Sequence, residues 1–274
     1  MQLRNLILIA TFLISPFAIG SEYEDCSWKC KKIPPLSESY EFWGSPQSTH
    51  LDANSINLLV WNVYKGREDQ FEREFTEFMD RADIAVLQEA TLSSQMSDTY
   101  NKTQGVEFHL AVSFLMKRNV PTGNITTSRA ITEIAQPLRT VDREPFSKSP
   151  KMNLVTRYSL SNGQKLLVIN IHGINFRDTD RLKAQIELAK SYMDAHDGPI
   201  VYAGDFNTKN EEKLEMADRW MESYGMERLK FDGDNRRKKL DNVYFRGLEV
   251  RDKQLLTNVE GSDHPAITVE FLAP

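Results

Sequence analysis

The chain of 274 residues lacks several features that would point to a specialised architecture. It has no internal repeat, no low-complexity linker and, after its first twenty residues, no apolar run long enough to cross a bilayer. It also has no excess of basic side chains, since 34 Lys and Arg against 39 Asp and Glu give a net charge of −5. This balance excludes a global positive field that would attract nucleic acid, although a local basic cluster can still bind phosphate.

Cysteine is scarce, with only Cys26 and Cys30 in the chain. Their C-x-x-x-C spacing differs from the C-x-x-C redox motif, and no βαβ pattern surrounds it. Cys26 does not adjoin a small-residue cleavage site, which excludes a lipoprotein. In an exported protein the two thiols are expected to form a disulfide, which closes a short loop and stabilises the core little.

The first twenty residues have the pattern of a cleaved signal peptide. Arg4 supplies the positive charge, residues 6–14 form the apolar segment, and Ala18-Ile19-Gly20 places small residues before a cut at Ser21. An uncleaved membrane anchor is the alternative, but the apolar stretch is short and is interrupted by Pro16. We therefore expect residues 1–20 to be removed, a mature net charge of −6, and a secreted or periplasmic location.

The hydrophobic pattern predicts an irregular lead-in over residues 21–54, which includes Cys26 and Cys30, followed by one mixed α/β domain over 55–274. Hairpin-like connections, above all the one around Asn162-Gly163, argue against a purely parallel sheet. Apolar side chains at helical spacing predict helices over 69–81, 179–196 and 211–223. Apolar runs predict strands at 58–62, 84–88, 107–116, 123–132, 153–160, 165–171, 200–204, 242–245, 248–257 and 266–272.

Polar side chains stand at the ends of four predicted strands. Asn62 ends one strand, Glu89 follows the next, Gly204-Asp205-Phe206-Asn207 follows a third, and Ser262-Asp263-His264 precedes the last. Loops converge at strand ends and commonly form sites there. Carboxylate, amide and imidazole groups in such a place suit a hard metal ion and an activated water.

Six short motifs in a fixed order carry a resemblance to a known family. They are Trp61-Asn62, Gln88-Glu89, His172 with Asn175-Phe176, Gly204-Asp205-Phe206-Asn207, Leu240-Asp241-Asn242 and Ser262-Asp263-His264. This set resembles the endonuclease/exonuclease/phosphatase superfamily, which includes deoxyribonuclease I, exonuclease III and the neutral sphingomyelinases. The resemblance covers about residues 55–274. It implies a deoxyribonuclease I-like α/β fold, a four-layer sandwich of two mixed β-sheets flanked by helices.

The metal site is predicted at Asn62, Glu89 and Asp263. A carboxylate at the end of a buried strand must be paired, protonated or metal-bound, and a helix cap or surface position is the alternative for Glu89. Asn62 is expected to offer its carbonyl oxygen, and Asp263 to complete the metal shell or buttress the site. Mg²⁺, or Mn²⁺ in its place, is the expected cofactor, because Mg²⁺ prefers such oxygen ligands.

The catalytic prediction centres on Asp241 and His264. A carboxylate bonded to one ring nitrogen fixes the tautomer of the imidazole and raises the basicity of the other nitrogen. Asp205 and Asn207 are two residues apart, so in an extended segment they would face the same way, with Phe206 in the core.

The resemblance further implies that His172 contacts phosphate or acts as an acid, with a satisfied core histidine as the alternative. Arg236 and Arg237 open a basic run just before Asp241 and are predicted to bind substrate phosphates, although a solvated face is the usual meaning of such a run. Nucleases of the family also carry a Tyr or Arg that contacts substrate between the Glu strand and the His strand. The available residues are Tyr100, Arg129, Arg139 and Tyr158, and none has a diagnostic context.

These residues predict an exported, divalent-metal-dependent phosphodiesterase whose substrate is nucleic acid, DNA or RNA. We expect a monomer with no stable membrane anchor after signal cleavage. A phospholipid phosphodiesterase of the sphingomyelinase type is one alternative, which needs an exposed aromatic loop such as Phe42-Trp43. A catalytically inactive binding module of the same fold is another, and the intact carboxylate and histidine set argues against it.

Overall fold

The computed structural model describes residues 22–27 and 30–274, so the predicted signal peptide lies outside the described residues. No helix within the described ranges is long and apolar enough to span a membrane. The helices are α1 (Phe71–Met79), α2 (Ser94–Lys102), α3 (Thr179–Glu187), α4 (Lys190–Asp194) and α5 (Glu211–Glu222). The strands are β1 (Glu24–Asp25), β2 (Lys32–Ile33), β3 (Tyr40–Gly44), β4 (Ile56–Asn62), β5 (Ile84–Thr91), β6 (Glu107–Leu115), β7 (Pro121–Ser128), β8 (Thr132–Arg143), β9 (Pro150–Ser159), β10 (Lys165–His172), β11 (Ile200–Asp205), β12 (Glu227–Arg228), β13 (Asp241–Arg246), β14 (Glu249–Leu256) and β15 (Ala266–Leu272).

Two β-sheets form the centre of the molecule. Sheet 1 has the strand order β1-β2-β6-β7-β5-β4-β15-β14, with β3 also paired to β6, and sheet 2 has the order β12-β13-β11-β10-β9-β8. Most neighbouring strands are antiparallel, but β4 with β5 and β10 with β11 are parallel. Both sheets are therefore mixed, as predicted.

Three apolar cores separate the layers. Side chains such as Val60, Val86, Val168 and Ala203 meet in the core between the two sheets. On the outer face of sheet 1, α1 and α2 pack around Trp61. On the outer face of sheet 2, α3, α4 and α5 form the third core. The predicted four-layer sandwich of the deoxyribonuclease I type is confirmed.

Some element predictions were wrong. The lead-in over 21–54 is not irregular throughout, because β1, β2 and β3 join sheet 1 and β3 pairs with β6 from Tyr40 to Gly44. The predicted helix over 179–196 is divided into α3 and α4. The helix α2 was missed because its sequence is mostly polar and buries only Met96, Thr99 and Tyr100.

Strand alternation carries polar side chains to one end of the space between the sheets. Residues two apart on a strand face the same side, so a polar residue two positions beyond an inter-sheet core residue faces the same space. This relation holds for three pairs: Val60 and Asn62, Ala203 and Asp205, and Val243 and Asp241.

Asn170 connects the two sheets just below that polar end. It is fully buried on β10, and its Nδ2 donates to the carbonyl oxygens of Leu87 (3.1 Å) and Ile125 (2.9 Å) in sheet 1. Its Oδ1 accepts from Nε2 of Gln88 at 2.9 Å. An unpaired buried polar group costs about 1–3 kcal/mol, so these bonds strongly favour one offset between the sheets.

We predict that Asn170→Leu lowers the free energy of unfolding by about 3 kcal/mol or more, because it removes the buried hydrogen bonds that connect β10 to Leu87, Ile125 and Gln88. Urea denaturation monitored by circular dichroism measures the change. Asn54→Ala, at an exposed turn, is the control and should change stability by less than about 0.5 kcal/mol. Equal midpoints for wild type and Asn170→Leu would show that the connection between the sheets does not depend on this residue.

Candidate active site

Three neighbouring strands of sheet 2 place their terminal polar residues side by side. His172 ends β10 and is paired in register with Asp205, which ends β11. Asp205 is paired in turn with Asp241, the first residue of β13. Directly paired residues on adjacent strands lie on the same face, so the three side chains meet at one edge of the sheet.

The segment Gly204-Asp205-Phe206-Asn207 turns sharply at this edge and is not extended, contrary to the prediction. Asn207 has the left-handed φ of 53°, which asparagine tolerates better than most residues. Its backbone N–H donates to Oδ1 of Asp205 at 2.9 Å, and its Nδ2 donates to the carbonyl of Gly173 at 2.9 Å. Phe206 is fully buried, as expected. Asp205 and Asn207 therefore do lie together, but through a turn.

Asp241 and His264 form the expected pair. Nδ1 of His264 donates to both carboxylate oxygens of Asp241, each at 3.0 Å. Burial opposes the charged imidazolium, but the hydrogen bond and the negative charge of Asp241 outweigh it and raise the pKa of His264 to about 9. Because Nδ1 is engaged, Nε2 is the ring nitrogen left to meet a reactant.

Asn62 serves a different purpose from the predicted one. Its Nδ2 donates to Oδ2 of Asp205 at 3.0 Å, and its Oδ1 accepts from the backbone N–H of Tyr64 at 3.1 Å. The opposite orientation of the amide is excluded, because it would place its NH₂ group against the backbone N–H of Tyr64. The oxygen expected to bind metal is thus already engaged, and Asn62 holds the carboxylate of Asp205 in place from across the sheets.

Glu89 reaches the site through a bulge in β5. In a regular strand, Glu89 and the neighbouring Gln88 would point to opposite faces of the sheet. The register of β5 against β7 shifts between Leu87 and Ala90, and Glu89 has a left-handed φ of 52°, so the strand contains a bulge at this point. Its carboxylate forms an ion pair with Lys65 and lies 4.0 Å from Nε2 of His172. The bulge therefore directs a carboxylate of sheet 1 toward the residues of sheet 2.

The donor atoms suit a divalent cation. Asp205, Asp241 and His264 offer two buried carboxylates and an imidazole whose ligand atoms lie within 4.8 Å of one another. Glu89 adds a carboxylate whose charge Lys65 balances in this arrangement. Asp263 is exposed at the rim of the cleft and lies outside the close group. Oxygen-rich sets of this kind favour Mg²⁺ or Mn²⁺ over softer metals.

His172 does not fit the predicted acid role in this arrangement. It is buried, and burial together with the neighbouring ammonium of Lys151 holds its pKa well below 6.5. Its Nε2 accepts a hydrogen bond from Nζ of Lys151 at 2.8 Å, so the ring is neutral and carries its proton on Nδ1. A neutral ring with an engaged Nε2 has no proton at that atom to donate.

Lys151 lies at the candidate site but was not among the residues that the sequence analysis selected. Its side chain is largely buried on β9, near Glu144 at 3.6 Å, and it lines the cleft with His172 and Asp205. Burial lowers the pKa of this lysine, but the nearby carboxylates of Glu144 and Asp205 oppose that effect. The residues considered for this position, which do not line the cleft, are Tyr100, Arg129, Arg139 and Tyr158.

Arg236, for which a phosphate contact stays a prediction, is engaged within the fold. Its guanidinium donates to both carboxylate oxygens of Asp234, at 3.0 Å each, and to the carbonyl of Asp241 at 3.1 Å. This arginine therefore supports the start of β13. Arg237 and Lys238 are exposed and line a shallow depression that also includes His264, so they remain available to a substrate.

Several of the predicted site residues, among them Glu89, Asp205, Asn207 and His264, line one cleft of about 370 Å³. Its floor carries Glu89, Asp205, Lys151, His172 and His264. Its rim is formed by the connection between β8 and β9 and by the loop after β10, which expose two aromatic rings. The cleft thus combines acids and cations in its interior with apolar groups at its mouth.

The chain is similar to known proteins in sequence and in fold. The model of the Endonuclease/Exonuclease/phosphatase family matches residues 59–264. A UPF0294 protein of Vibrio campbellii is 30% identical over 222 residues, which cover 79% of this chain and 77% of that protein.

Two solved structures share the fold. The human Nocturnin catalytic domain with bound sulfate anion has 18% identity and a TM-score of 0.63, covering 86% of this chain and 98% of that one. The endonuclease domain of TRAS1, a telomere-specific non-LTR retrotransposon, has 13% identity and a TM-score of 0.53, covering 80% and 99%. At these identities the likeness shows the fold alone.

We predict that His264 titrates with a pKa of about 9 in the metal-free protein and that Asp241→Asn brings this pKa to 6.5 or below, because burial is then no longer outweighed. Histidine NMR signals followed against pH measure both values. Asp263→Asn, which removes an exposed acid next to His264, is the control and should produce a much smaller decrease.

The free energy of unfolding should depend on pH through the same shift in the pKa of His264. The folded pKa of His264 lies above its unfolded value, so the contribution of the pair is full below pH 6.5 and is lost as pH rises through about 9. The cost of Asp241→Asn should therefore be larger at low than at high pH, by about 3 kcal/mol. A cost independent of pH would contradict an ion pair.

Proposed function

We propose that this chain, which belongs to the endonuclease/exonuclease/phosphatase family, is an exported divalent-metal-dependent phosphodiesterase that cleaves nucleic acid. The observation that carries the proposal is the Asp241–His264 pair beside the buried carboxylate of Asp205. This arrangement brings a proton acceptor and a metal-binding carboxylate to one point of a cleft. A binding module without activity has no need for such costly buried charges.

The residues divide the reaction among them. A divalent cation held at the acidic residues would disfavour the imidazolium of His264 and leave its Nε2 free to accept a proton. Water attacks phosphorus, its proton passes to Nε2 of His264, and the bond from phosphorus to the leaving oxygen breaks. Asp241 keeps the ring oriented and stabilises the imidazolium that forms. Lys151 lines the cleft and would donate to the phosphate oxygens, and Asn207, whose Nδ2 is bound to Gly173, keeps the carboxylate of Asp205 in place through its backbone N–H. When bound at the acidic residues, Mg²⁺ or Mn²⁺ neutralises charge that develops on the phosphate.

The choice of nucleic acid rests on the positive groups around the cleft. Lys151 and Lys209 line the cleft itself, and the exposed Arg237 and Lys238 lie on the other side of His264. Local cations of this kind can hold successive phosphates of a strand although the protein as a whole is acidic. The TRAS1 neighbour is an endonuclease domain, which is consistent with this choice.

Export is supported by two features of the N-terminal region. The first twenty residues have the pattern of a signal peptide. Cys26 and Cys30 are joined in a disulfide, a bond that persists in oxidising compartments outside the cytosol. Together they favour a secreted or periplasmic enzyme.

A phospholipid phosphodiesterase is the second candidate, and one observation favours it. Phe146 and Phe176 are 62% and 60% exposed at the mouth of the cleft, where an enzyme of this type could contact a bilayer. The predicted contact through Phe42-Trp43 is less suitable, because Trp43 stacks on Phe108 within the fold. The two candidates share the chemistry and differ in the substrate.

We predict that the mature protein with Mg²⁺ or Mn²⁺ hydrolyses DNA or RNA, and that His264→Ala lowers kcat by about a thousandfold, since the imidazole that Asp241 orients to take the proton is lost. Asp241→Asn acts on the same step, so the double variant should be little slower than the slower single variant. Gel and fluorescence assays on DNA, RNA and sphingomyelin vesicles measure these effects.

The matched control is His50→Ala, which removes an exposed histidine that does not line the cleft. Cleavage of sphingomyelin alone would select the second candidate. No cleavage of any phosphodiester by the wild type with either metal would contradict the enzyme proposal.

We further predict that Lys151→Gln lowers kcat/KM by about a hundredfold, because a charged hydrogen bond to the phosphate is lost in a desolvated site. It should also raise the pKa of His172, since the cation that disfavours protonation is gone. The pKa is read by NMR on the metal-free protein. Lys148→Gln, in the same loop region but outside the cleft lining, is the control. Unchanged kcat/KM would remove Lys151 from the phosphate site.

A further inference from the structure

Two phenylalanines form an ordered aromatic pair at the mouth of the cleft. The rings of Phe146 and Phe176 meet edge to face, with centroids 5.4 Å apart and an interplanar angle of 79°. Both side chains are about 60% exposed, and both line the cleft. Large apolar groups are seldom left in water at two adjoining positions of a cleft unless a ligand covers them.

The pair is held in position by polar contacts from beneath. The buried carboxylate of Glu144 accepts from the backbone N–H of Asn175 at 2.8 Å and from that of Phe176 at 3.4 Å. These bonds tie the loop after β10 to the connection that carries Phe146. The backbone N–H of Ser27 donates to the carbonyl of Ser147 at 2.9 Å and fixes that connection from its other side.

A cation completes this surface. Nζ of Lys209 lies 4.5 Å from the centre of the Phe176 ring and lines the same cleft. A quaternary ammonium headgroup at this pair would be repelled by the ammonium of Lys209. A flat neutral ring that stacks on the remaining ring faces is not repelled, and a phosphate attached to it is attracted to Lys209 and Lys151.

We propose that Phe146 and Phe176 form a stacking subsite for an unpaired nucleobase, next to the phosphate that is cleaved. The inference rests on the proposed nuclease function and narrows it to single-stranded nucleic acid, because bases inside a duplex are stacked on each other and expose no face. Lys209 contacts the backbone beside the stacked base. Every base has an aromatic face, so the subsite selects strandedness and not sequence.

Binding is the direct test, and the His264→Ala background prevents turnover. The probe is a short fluorescent oligothymidine in the presence of Mg²⁺. Replacement of both Phe146 and Phe176 by Ser should weaken binding about tenfold or more, the range expected for loss of one stacked base. Phe42→Ser is the control, since Phe42 is 68% exposed but lies outside the cleft lining, and it should bind like the parent. Phe176→Trp should retain or improve binding.

A second probe isolates the base itself. An oligonucleotide of the same length with abasic residues should bind more weakly to the parent protein, and the double Ser variant should no longer distinguish the two probes. The stacking subsite is refuted if the double Ser variant binds the abasic probe more weakly than the parent protein does. It is also refuted if the variant binds oligothymidine as tightly as the Phe42→Ser control. Release from sphingomyelin vesicles, with no change in oligonucleotide binding, would assign the pair to lipid instead.

The outcome is separate from that of the proposed function. Nuclease activity of the wild type with unchanged strand preference in the double Ser variant would overturn the subsite and leave the nuclease intact. The absence of any nucleic acid binding or cleavage by the wild type would overturn both.

Discussion

The hydrogen bonds of Asn170 across the space between the sheets are the constraint on which the site depends. Sheet 1 supplies Glu89 and Asn62. Sheet 2 supplies His172, Asp205 and Asp241, which are paired in register two positions beyond Asn170 and its partners. Neither sheet alone holds a complete set of catalytic groups. The buried hydrogen bonds of Asn170, which form at one offset of the sheets, therefore convert a general apolar packing into a specific arrangement of charges.

The sequence predicts the floor of the site better than its walls. Asn62, Asp205 and Asp241 could be found because each stands at the end of an apolar strand, and the alternation of strands fixes the side on which they lie. The pairing of Asp241 with His264 also follows from the motifs. What alternation cannot predict is a local break in it, so the bulge that turns Glu89 and the turn at Asn207 appear only in the structure.

Lys151 and Arg236 show why long-range contacts resist prediction. Both are basic residues, yet Lys151 lines the cleft and bonds to His172, whereas Arg236 is bound to Asp234. Their positions are decided by partners that are buried with them, and not by the residues beside them in the chain. A basic run before a catalytic strand is thus weak evidence for substrate contact, and a single lysine that begins a strand can be stronger.

The N-terminal segment, with its disulfide between Cys26 and Cys30, contributes to the wall of the cleft. Cys30 is buried and lines the cleft, and its disulfide with Cys26 closes the loop that begins where Ser27 bonds to the backbone of Ser147. A bridge between residues so close in sequence removes little entropy from the unfolded chain. Its effect is instead local, because it restricts the segment on which the connection between β8 and β9 rests. The lead-in is therefore part of the wall of the cleft and not only a tether.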